Sequence, residues 1–379
     1  MRAAFIHSPE LDEFQYPAEV PLVTRRAGLT REKLVSMGLL SGPDRAEVAP
    51  LAATRRQLET FHTPRYLDAL ERAAQEGDDP SLLRMGLGTI DCPVFPDAYA
   101  YPALACGATL KAAELVASGD AHTAFNPSGG YHHAGPERAA GFCYINDLAV
   151  ACLDLAARGR RVFYLDVDVH HGDGVQNAFY GRADVMTLSL HQTGWTLFPG
   201  TGFPDEIGTA EGRGYCVNLP MPPGTNDAAY LRAFHAVAEP LLRAYDPDVI
   251  VLQLGMDALA GDPLANLDLT LDTHAEVIRS VLASGKPLLA TGGGGYDVDN
   301  TVRGWTRAWA LFCGDEEDPR GGRLGPGEGT PETTGRSGGP PALDPHLRDL
   351  VDAAVDAAIE AVKKKVFPIH GLSAGTGPG

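Results

Sequence analysis

Residues 161–174 read RVFYLDVDVHHGDG, and this segment indicates how the chain is built. We predict a strand that runs toward a glycine-containing loop, because an apolar run is followed by two glycines. The period of two in a strand places Asp166, Asp168 and His170 on one face. In open α/β sheets, ligands bind beyond the carboxyl ends of the strands. This cluster of polar groups therefore predicts a reaction site.

Short apolar runs alternate with longer amphipathic segments along the chain, which is typical of βα units that form a mainly parallel sheet. The predicted strands are AAFIH (3–7), HTAFNP (122–127), RVFYLDVDVH (161–170), VMTLSLH (185–191), YCVNL (215–219), DVIVLQLG (248–255) and PLLATGG (287–293). The predicted helices cover 99–118, 145–158, 227–245 and 271–284. No internal repeat is visible, so the pattern predicts one α/β fold.

The chain is predicted to be a single domain, residues 1–379, with a flexible surface loop at 316–345. Gly, Pro and charged residues are dense in that loop and cannot bury enough apolar surface to fix its backbone. Residues 346–366 are predicted to form a helix that docks on the core. Its apolar stripe consists of Leu347, Leu350, Val351, Ala354, Val355, Ala358 and Val362.

Composition limits the classes of partner. The formal net charge of -18 argues against binding to nucleic acid, because that affinity comes from clustered Lys and Arg. The same acidity either attracts basic polypeptides or simply keeps the surface solvated. The six cysteines lack a Cys-x-x-Cys spacing, so we expect reduced core thiols. The opening MRAAFIHSPELDEF is too weakly apolar for a signal peptide or membrane span, which predicts a cytoplasmic protein.

A second predicted strand supplies a further carboxylate for the reaction site. Residues 248–262, DVIVLQLGMDALAGD, form an apolar run that ends near Gly255 and then presents Asp257. An isolated Asp-x-His pair is more often a structural hydrogen bond than a metal site. Two carboxylates with one imidazole, however, suit a divalent cation that keeps a position open for water and substrate, as catalytic zinc does. We predict that Asp168, His170 and Asp257 bind such a metal ion.

Two adjacent histidines lie upstream, in residues 126–147, NPSGGYHHAGPERAAGFCYIND. His132 and His133 can pair with the remaining carboxylates, Asp166 and Asp173, to form two Asp–His dyads. In such a dyad the acid fixes the tautomer of the imidazole and raises its basicity. Solvated or capping histidines would be the simpler interpretation, but the neighbouring metal cluster favours catalysis.

A glycine-rich segment, PLLATGGGGYDVDN at 287–300, follows another predicted strand. It lacks the Lys-Ser/Thr of a phosphate loop, and its spacing fits a dinucleotide site poorly. Glycines permit close backbone approach, which would bring Tyr296 to a polarised carbonyl as an oxyanion donor. Taken alone, this motif is more typical of an ordinary turn tyrosine.

Taken together, these motifs resemble the histone deacetylase family, including its bacterial members associated with acetoin utilisation. The resemblance runs from Phe5 to about Phe312, and the motifs occur in the family's order. They are PSGGYHHA (127–134), GFCYIND (141–147), DVDVHHGDG (166–174), LFPGTGFPDEIG (197–208), LGMDALAGDPL (254–264) and GGGGY (292–296). The resemblance implies an arginase/deacetylase fold, an open doubly wound sheet of about eight mainly parallel strands, with zinc at the three predicted ligands.

The resemblance also implies roles for individual side chains. His133 with Asp173 looks like the general base and acid, and His132 with Asp166 like an electrostatic partner. Tyr296 would polarise the acetyl carbonyl. The expected substrate-binding residues are Gly141, Phe142 and Phe198 in the channel, Leu264 and Asp91 at its rim, and Arg26 near the acetate exit.

Two monovalent-cation sites, expected to hold K⁺, are implied as well. The first involves Asp166, Asp168, His170, Ser189 and Leu190. The second involves Phe179, Arg182, Val185 and Tyr215. Arg182 stands where a smaller residue is expected, although its carbonyl remains able to bind a cation.

The function implied is zinc-dependent hydrolysis of acetyl-lysine in proteins, with Fe²⁺ as an alternative metal. The likeness to acetoin-utilisation proteins suggests a role in acetoin and acetate metabolism, with an acetylated acyl-CoA synthetase as a substrate. A two-metal ureohydrolase is disfavoured, because Gly172, Gly255 and Leu259 stand where its extra carboxylates would be needed. Two further functions fit the same motifs, namely an acetylpolyamine amidohydrolase and a non-catalytic scaffold that binds acyl-lysine.

Overall fold

The protein is described by a computed structural model, which covers residues 2–77, 79–315 and 343–373. Most of the predicted surface loop, residues 316–342, lies outside the described residues. The strands are β1 (Ala3–Ile6), β2 (Arg45–Val48), β3 (Thr123–Asn126), β4 (Val162–Asp166), β5 (Val185–Gln192), β6 (Cys216–Met221), β7 (Val249–Gln253) and β8 (Leu288–Thr291). Over this part of the chain, no helix is both long enough and apolar enough to cross a membrane.

Helices occupy most of the connections between these strands. They are α1 (Glu10–Glu13), α2 (Arg26–Ser36), α3 (Arg55–Leu58), α4 (Pro64–Glu76), α5 (Ala100–Ser118), α6 (Asp147–Ala157), α7 (Asp173–Phe179), α8 (Asp227–Ala233), α9 (Glu239–Tyr245), α10 (Leu271–Ala283), α11 (Val298–Cys313) and α12 (Pro345–Val366). Three of the four helices predicted from periodicity match α5, α6 and α10 to within two residues at each end.

The strands form one sheet in the order β2-β1-β3-β8-β7-β4-β5-β6, and every pairing is parallel. The predicted α/β class and eight-stranded parallel sheet are therefore confirmed. The order places β3, β8, β7 and β4 side by side in the middle. Loops that leave the carboxyl ends of these four strands must meet at one place.

Helices cover both faces of the sheet, because alternate side chains of the central strands are apolar in both directions. On β4, Phe163 and Leu165 belong to one buried cluster, whereas Val162 and Tyr164 belong to another. Strands buried on both faces are the signature of parallel sheets between two helical layers. This double burial makes the centre of the sheet a rigid support for the loops at its edge.

The edge strand β2 has no counterpart among the predicted strands. Its sequence, RAEV at 45–48, contains no fully buried residue, since it pairs only with β1 at the margin of the sheet. A strand of this kind lacks the apolar run that identifies central strands. Only its pairing with β1 makes it a strand.

The predicted strand at 161–170 is too long, because β4 ends at Asp166. Beyond it, the backbone N–H of Asp168 donates to Asp166 Oδ1 (3.1 Å), and that of His170 donates to Asp168 Oδ1 (2.9 Å). Side-chain oxygens thus accept hydrogen bonds from N–H groups that, in a strand, would donate to the neighbouring strand. Asp168 and His170 therefore lie on a loop, and the alternation of a strand does not place them.

The predicted helix at 227–245 is also interrupted. A π-helical turn, Phe234–Ala238, separates α8 from α9, and the N–H of Glu239 donates to the carbonyl of Phe234. Pro240 follows directly. Its ring lacks an N–H and would clash with the carbonyl four residues earlier, so the wider turn relieves that conflict.

The C-terminal helix α12 packs against β6 and α8 through part of the predicted stripe. Val351, Val355 and Val362 are buried, together with Ile359. The first turn is different: Leu347 is 49% exposed and Leu350 is 54% exposed. Docking therefore begins at Val351, one turn later than the sequence pattern suggests.

Because only part of α12 is buried, replacing its apolar side chains by alanine should have unequal effects on the free energy of unfolding. Ile359→Ala should lower the free energy of unfolding by about 2–4 kcal/mol, because it opens a cavity in the core. Leu350→Ala should change it by less than about 0.5 kcal/mol, because that side chain is largely solvated. Urea unfolding of both variants measures the difference. Equal losses would contradict the docking boundary at Val351.

Candidate active site

Four loops form the site, each following one of the adjacent central strands. The histidine pair follows β3, Tyr296 follows β8, Asp257 follows β7, and Asp168 with His170 follows β4. The carboxyl ends of parallel strands lie at one edge of a sheet, so residues far apart in sequence meet there.

Asp168, His170 and Asp257 offer ligand atoms that all lie within 4.8 Å of one another, and all three residues are buried. His170 Nδ1 is 3.1 Å from Asp168 Oδ1 and 3.1 Å from Asp257 Oδ2. Burial and the nearby Asp168 carboxylate raise the pKa of Asp257 to about 7. Two buried carboxylates in contact need a compensating cation, so this donor set fits a divalent metal ion.

The second oxygen of each carboxylate is held by the protein. Asp168 Oδ2 accepts from Gln253 Nε2 (2.7 Å) and from the Gly294 N–H (2.7 Å), and Asp257 Oδ1 accepts from the Val169 N–H (2.9 Å). Outer contacts of this kind orient the atoms that face a metal ion. Sequence reasoning missed Gln253, although a lone amide at the end of an apolar strand was the available signal.

Close backbone approach completes this part of the site. A Cβ atom at Gly294 would lie 1.9 Å from Asp257 Oδ2, and one at Gly255 would lie 2.3 Å from Asp168 Oδ2. Any side chain at either position would displace a carboxylate. Glycine is therefore required on both sides of the predicted metal ligands.

The two histidines form the expected dyads. His132 Nδ1 is 2.8 Å from Asp166 Oδ2, and His133 Nδ1 is 2.8 Å from Asp173 Oδ1. The two Nε2 atoms lie 3.0 Å apart. Each carboxylate thus holds a proton on Nδ1 and leaves Nε2 for other chemistry.

The two imidazoles differ in basicity. Burial lowers the pKa of His132, but the Asp166 and Asp168 carboxylates outweigh that effect and raise it to about 9. Burial and the neighbouring His132 lower the pKa of His133 to about 4 despite Asp173. At neutral pH the pair therefore combines one charged and one neutral imidazole, and the neutral one can accept a proton.

Buried side chains hold the histidine loop in place. Asp147 accepts from the backbone N–H groups of Gly130 (3.0 Å) and Tyr131 (2.8 Å). Asn146 Nδ2 donates to the carbonyls of His132 (3.1 Å) and Ala134 (2.9 Å). Neither residue was predicted to matter, although both belong to the GFCYIND motif and stand beside apolar residues. They act on the backbone, which sequence spacing does not reveal.

Tyr296 lines a cavity of about 30 Å³ together with His132, His133, Asp168 and His170. Its ring centre is 6.4 Å from that of His170, and the two rings are nearly perpendicular. Burial raises the pKa of the Tyr296 hydroxyl well above its usual range, so the group remains protonated. A protonated phenol beside the predicted metal ligands is a hydrogen-bond donor available to a bound carbonyl oxygen.

Two phenylalanines flank the approach to this cavity. The Phe198 ring lies 4.9 Å from that of His133, and the Phe142 ring lies 5.8 Å from that of Tyr296. Phe198 is 44% exposed, so it stands at the entrance. Gly141 has φ +53°, and a Cβ atom there would lie 2.5 Å from the His133 ring. Glycine is therefore needed where the chain passes this histidine.

A polar network holds the loop that carries Phe198. Glu206 Oε1 accepts from the N–H groups of Gly202 (2.9 Å) and Phe203 (3.0 Å), and Glu206 Oε2 accepts from Gln176 Nε2 (2.6 Å). His171, which follows a predicted metal ligand, lies 3.0 Å from Gln176 Oε1 through its Nε2. The entrance loop is thus connected to the loop that bears His170.

Asp91 and Arg26 both bind backbone groups of the protein. Asp91 Oδ2 accepts from the Gly141 N–H (2.8 Å), which ties the carboxylate to the channel wall. Arg26 is only 5% exposed and donates to the carbonyls of Gly293 (2.9 Å) and Gly295. Both charged side chains therefore help to shape loops of the site.

Leu264 is half-buried and is not among the residues that line the cavity. Its backbone N–H donates to Asp262 Oδ1 (2.9 Å). Asp262 Oδ2 in turn accepts from the Tyr296 N–H (2.7 Å). The rim residue is therefore linked to the tyrosine through one carboxylate.

The residues of the predicted cation sites lie around β4 and β5. Asp166 pairs with Ser189 in the sheet, and Leu190 follows on β5. At the second site, the Phe179 carbonyl accepts from the Arg182 N–H (3.0 Å), and the Tyr215 carbonyl accepts from the Thr187 N–H (2.8 Å). Val185 begins β5, and the Arg182 side chain pairs with Asp184 (2.6 Å). Potassium at both sites stays a prediction.

A buried Asp-His-Asp group beside two Asp–His dyads, on a parallel α/β sheet, defines a metal-dependent hydrolase. Residues 20–312 match the model of the histone deacetylase domain. The chain belongs to the histone deacetylase family, whose members are zinc-dependent amidohydrolases that deacetylate acetyl-lysine.

Known proteins agree with this assignment. The chain is 40% identical to histone deacetylase 8 of Xenopus tropicalis over 314 residues, which is 82% of this chain and 84% of the relative. A solved HDAC homologue in complex with SAHA has a TM-score of 0.82 and 31% identity, covering 95% of this chain and 100% of that one. An HDAC homologue from Aquifex aeolicus has a TM-score of 0.81 and 30% identity over the same shares.

Removal of one predicted ligand should abolish metal binding. Asp257→Asn deletes a negative charge from the cluster, so the purified variant should hold less than about a tenth of the wild-type metal, measured by elemental analysis. Chelation should lower the Tm of the wild type and leave that of the variant nearly unchanged. Asp344→Asn, at the N-cap of α12, is the control and should keep its metal. Full metal content in Asp257→Asn would remove this residue from the ligand set.

Acid should destabilise the fold through His62. Its Nε2 accepts from the Asn146 N–H (3.0 Å), and burial lowers its pKa to about 4. The unfolded chain binds a proton near pH 6.5, so the folded state is penalised as pH falls from about 6.5 to 4, by up to about 3 kcal/mol. His62→Gln should be less stable than wild type at pH 7.5, and the gap should shrink toward pH 4.5. Urea unfolding across this range measures the gap, and a constant gap would contradict the titration of His62.

Proposed function

We propose that this protein hydrolyses the acetyl amide of N-ε-acetyl-lysine in proteins, releasing acetate and free lysine, with zinc as its resident metal. One arrangement carries the proposal: His133 and Tyr296 line the same small cavity as Asp168 and His170, and Asp257 lies against His170. A general base, a hydrogen-bond donor and a metal-binding group thus surround one space. Metal-dependent hydrolysis of an amide uses these three components.

Asp168, His170 and Asp257 would hold the metal, which supplies a Lewis acid for the acyl carbonyl and lowers the pKa of bound water. Fe²⁺ suits the same donor set and is the alternative metal in the cell. The two negative charges of the carboxylates would balance the double positive charge of the metal ion. This neutralisation would reduce the free-energy cost of burying the carboxylates. The remaining chemistry belongs to side chains of the chain.

His133 is the proposed proton carrier. Its imidazole is neutral at physiological pH, because burial and His132 keep its pKa low, and Asp173 holds its Nδ1 proton. Its Nε2 accepts a proton from the attacking water and later passes it to the leaving amine nitrogen. The charged His132 beside it stabilises negative charge that develops during the attack.

Tyr296 is the proposed donor to the acyl oxygen. The phenol remains protonated, so it donates to that oxygen more strongly as negative charge accumulates there. Phe142 and Phe198 offer apolar surface to the methylene stem of a lysine side chain. Asp91 keeps free lone pairs on both oxygens, which are available to a backbone N–H of a peptide substrate.

An acetylated polyamine is the second candidate substrate. The small cavity lies against the catalytic groups, where the acyl end that both substrates share would bind, so it does not distinguish the two substrates. The net charge of -18 favours a cationic amine. Asp91 at the rim supports the peptide, because a polyamine has no backbone N–H to offer.

We further propose a cytoplasmic role in acetoin and acetate metabolism, with an acetylated acyl-CoA synthetase as substrate and K⁺ as a modulating ion. Support comes from the motifs that resemble bacterial acetoin-utilisation deacetylases. Asp166 and Asp168 are shared between the predicted K⁺ site and the catalytic cluster, so a bound K⁺ would weaken their pull on His132.

Tyr296→Phe tests the proposal. Without the phenol oxygen, kcat for an acetyl-lysine peptide should fall by about a hundredfold or more, while metal content stays unchanged. Tyr99→Phe, just before α5, is the matched control and should keep wild-type kcat. Released acetate is measured for both variants, on the peptide and on an acetylated spermidine.

The substrate comparison separates the candidate functions. A higher kcat/KM for the spermidine would identify a polyamine enzyme. A metal-replete wild type that releases no acetate from either compound would favour the non-catalytic scaffold. Near-normal turnover by Tyr296→Phe would exclude the phenol from the reaction.

A further inference from the structure

The loop that carries Tyr296 has few side chains of its own that could fix its backbone. Residues 292–295 are four glycines, so no side chain packs there to fix the backbone. Its position depends on hydrogen bonds made by other segments. These bonds therefore determine where the Tyr296 side chain points.

Several partners hold the glycines themselves. The Gly294 N–H donates to Asp168, and the Gly294 carbonyl accepts from the Met256 N–H (2.9 Å). Arg26 binds the carbonyls of Gly293 and Gly295. All of these contacts precede Tyr296 in the chain. The Gly295 carbonyl belongs to the same peptide unit as the Tyr296 N–H, so Arg26 holds one side of that unit, but none of these partners makes a contact with the N–H itself.

Asp262 makes that contact. Its Oδ2 accepts from the Tyr296 N–H at 2.7 Å, and its Oδ1 accepts from the Leu264 N–H at 2.9 Å. The residue is 7% exposed, so the carboxylate is largely removed from water. A buried carboxylate that accepts two backbone N–H groups forms stronger bonds than a neutral acceptor does. Asp262 therefore fixes both peptide units.

Burial raises the pKa of Asp262, and the backbone N–H groups of Tyr296, Leu264 and Asp297 counter part of this shift. Helix α11 begins at Val298, two residues beyond Tyr296, and its N-cap is Asp297. The positive end of the helix dipole stabilises an anion placed there. The Asp262 carboxylate thus holds Tyr296 just before this helix. It also connects the rim segment to the glycine loop.

We propose that Asp262 is a positioning residue, whose carboxylate holds the backbone of Tyr296 so that the phenol meets the acyl oxygen. This inference rests on the proposed function. Asp262 acts through Tyr296 and does not touch the substrate. Its removal should matter only while the phenol is present.

The first test is Asp262→Asn, which keeps the shape of the side chain. Its NH₂ group must face one of the two backbone N–H groups, so one hydrogen bond is replaced by a contact between two donors. A shift of Tyr296 of about 1 Å should lower kcat roughly tenfold to a hundredfold, while KM changes less than about threefold. If this variant does not fold, Asp262→Glu retains the acceptor oxygens and takes its place.

The decisive measurement is a double-mutant cycle with Tyr296→Phe. If Asp262 acts through the phenol, adding Asp262→Asn to Tyr296→Phe should lower kcat less than about twofold further. Independent, multiplying effects of the two substitutions would overturn the proposal, since they would mean a general structural role.

Asp227→Asn is the matched control. Asp227 also binds the backbone N–H of a distant segment, at Thr270 (2.8 Å), but lies outside the site. It should leave kcat near the wild-type value. A loss equal to that of Asp262→Asn would show that removing any such carboxylate has the same effect, and the proposal would fail.

Hydrogen exchange provides a readout that does not need turnover. The peptide containing the Tyr296 amide should exchange faster in Asp262→Asn than in wild type or Asp227→Asn. Unchanged exchange would overturn the proposed hold on Tyr296. If the wild type releases no acetate from any substrate, the proposed function fails, while the exchange result still decides whether Asp262 holds this residue.

Discussion

The structure depends on two buried carboxylates, Asp168 and Asp257, that converge on one imidazole. Like charges removed from water repel strongly, and their burial is tolerable only where a cation or several hydrogen bonds compensate them. Here His170 lies between them, while Gln253 and backbone N–H groups hold their outer oxygens. The central strands and the glycines around them serve to keep this concentration of charge in place.

A second constraint follows, because most groups of the site lie on loops beyond the strand ends. Loops lack the repeating hydrogen bonds of a sheet, so buried polar side chains hold their backbone instead. Asp147 holds the segment before the histidine pair, and Asp262 holds Tyr296. Arg26 holds the glycine carbonyls. The catalytic geometry is therefore as rigid as this set of side-chain contacts.

Much of the fold could be predicted from local pattern. The central strands and three helices carry periodicities strong enough to identify them, and a mainly parallel sheet follows from their alternation. The rest depends on contacts between distant segments. The edge strand 45–48 is visible only through its pairing with β1, and the strand predicted at 161–170 ends early because carboxylates capture its N–H groups. The sequence shows Pro240 within the predicted helix 227–245, but the local pattern did not predict the π-helical turn that precedes this proline.

The chemistry of the site can be read from residue types alone: two carboxylates and an imidazole for a metal, paired histidines with acids, and a tyrosine after four glycines. Residue identity and motif order suffice for that, because few reactions need this set. How these groups are held becomes evident only in the folded protein. The use of Asp91 and Arg26 on backbone atoms, and the roles of Gln253, Asn146 and Asp262, arise from distances across the fold. Such contacts join residues far apart in the chain, so spacing along the sequence carries no record of them.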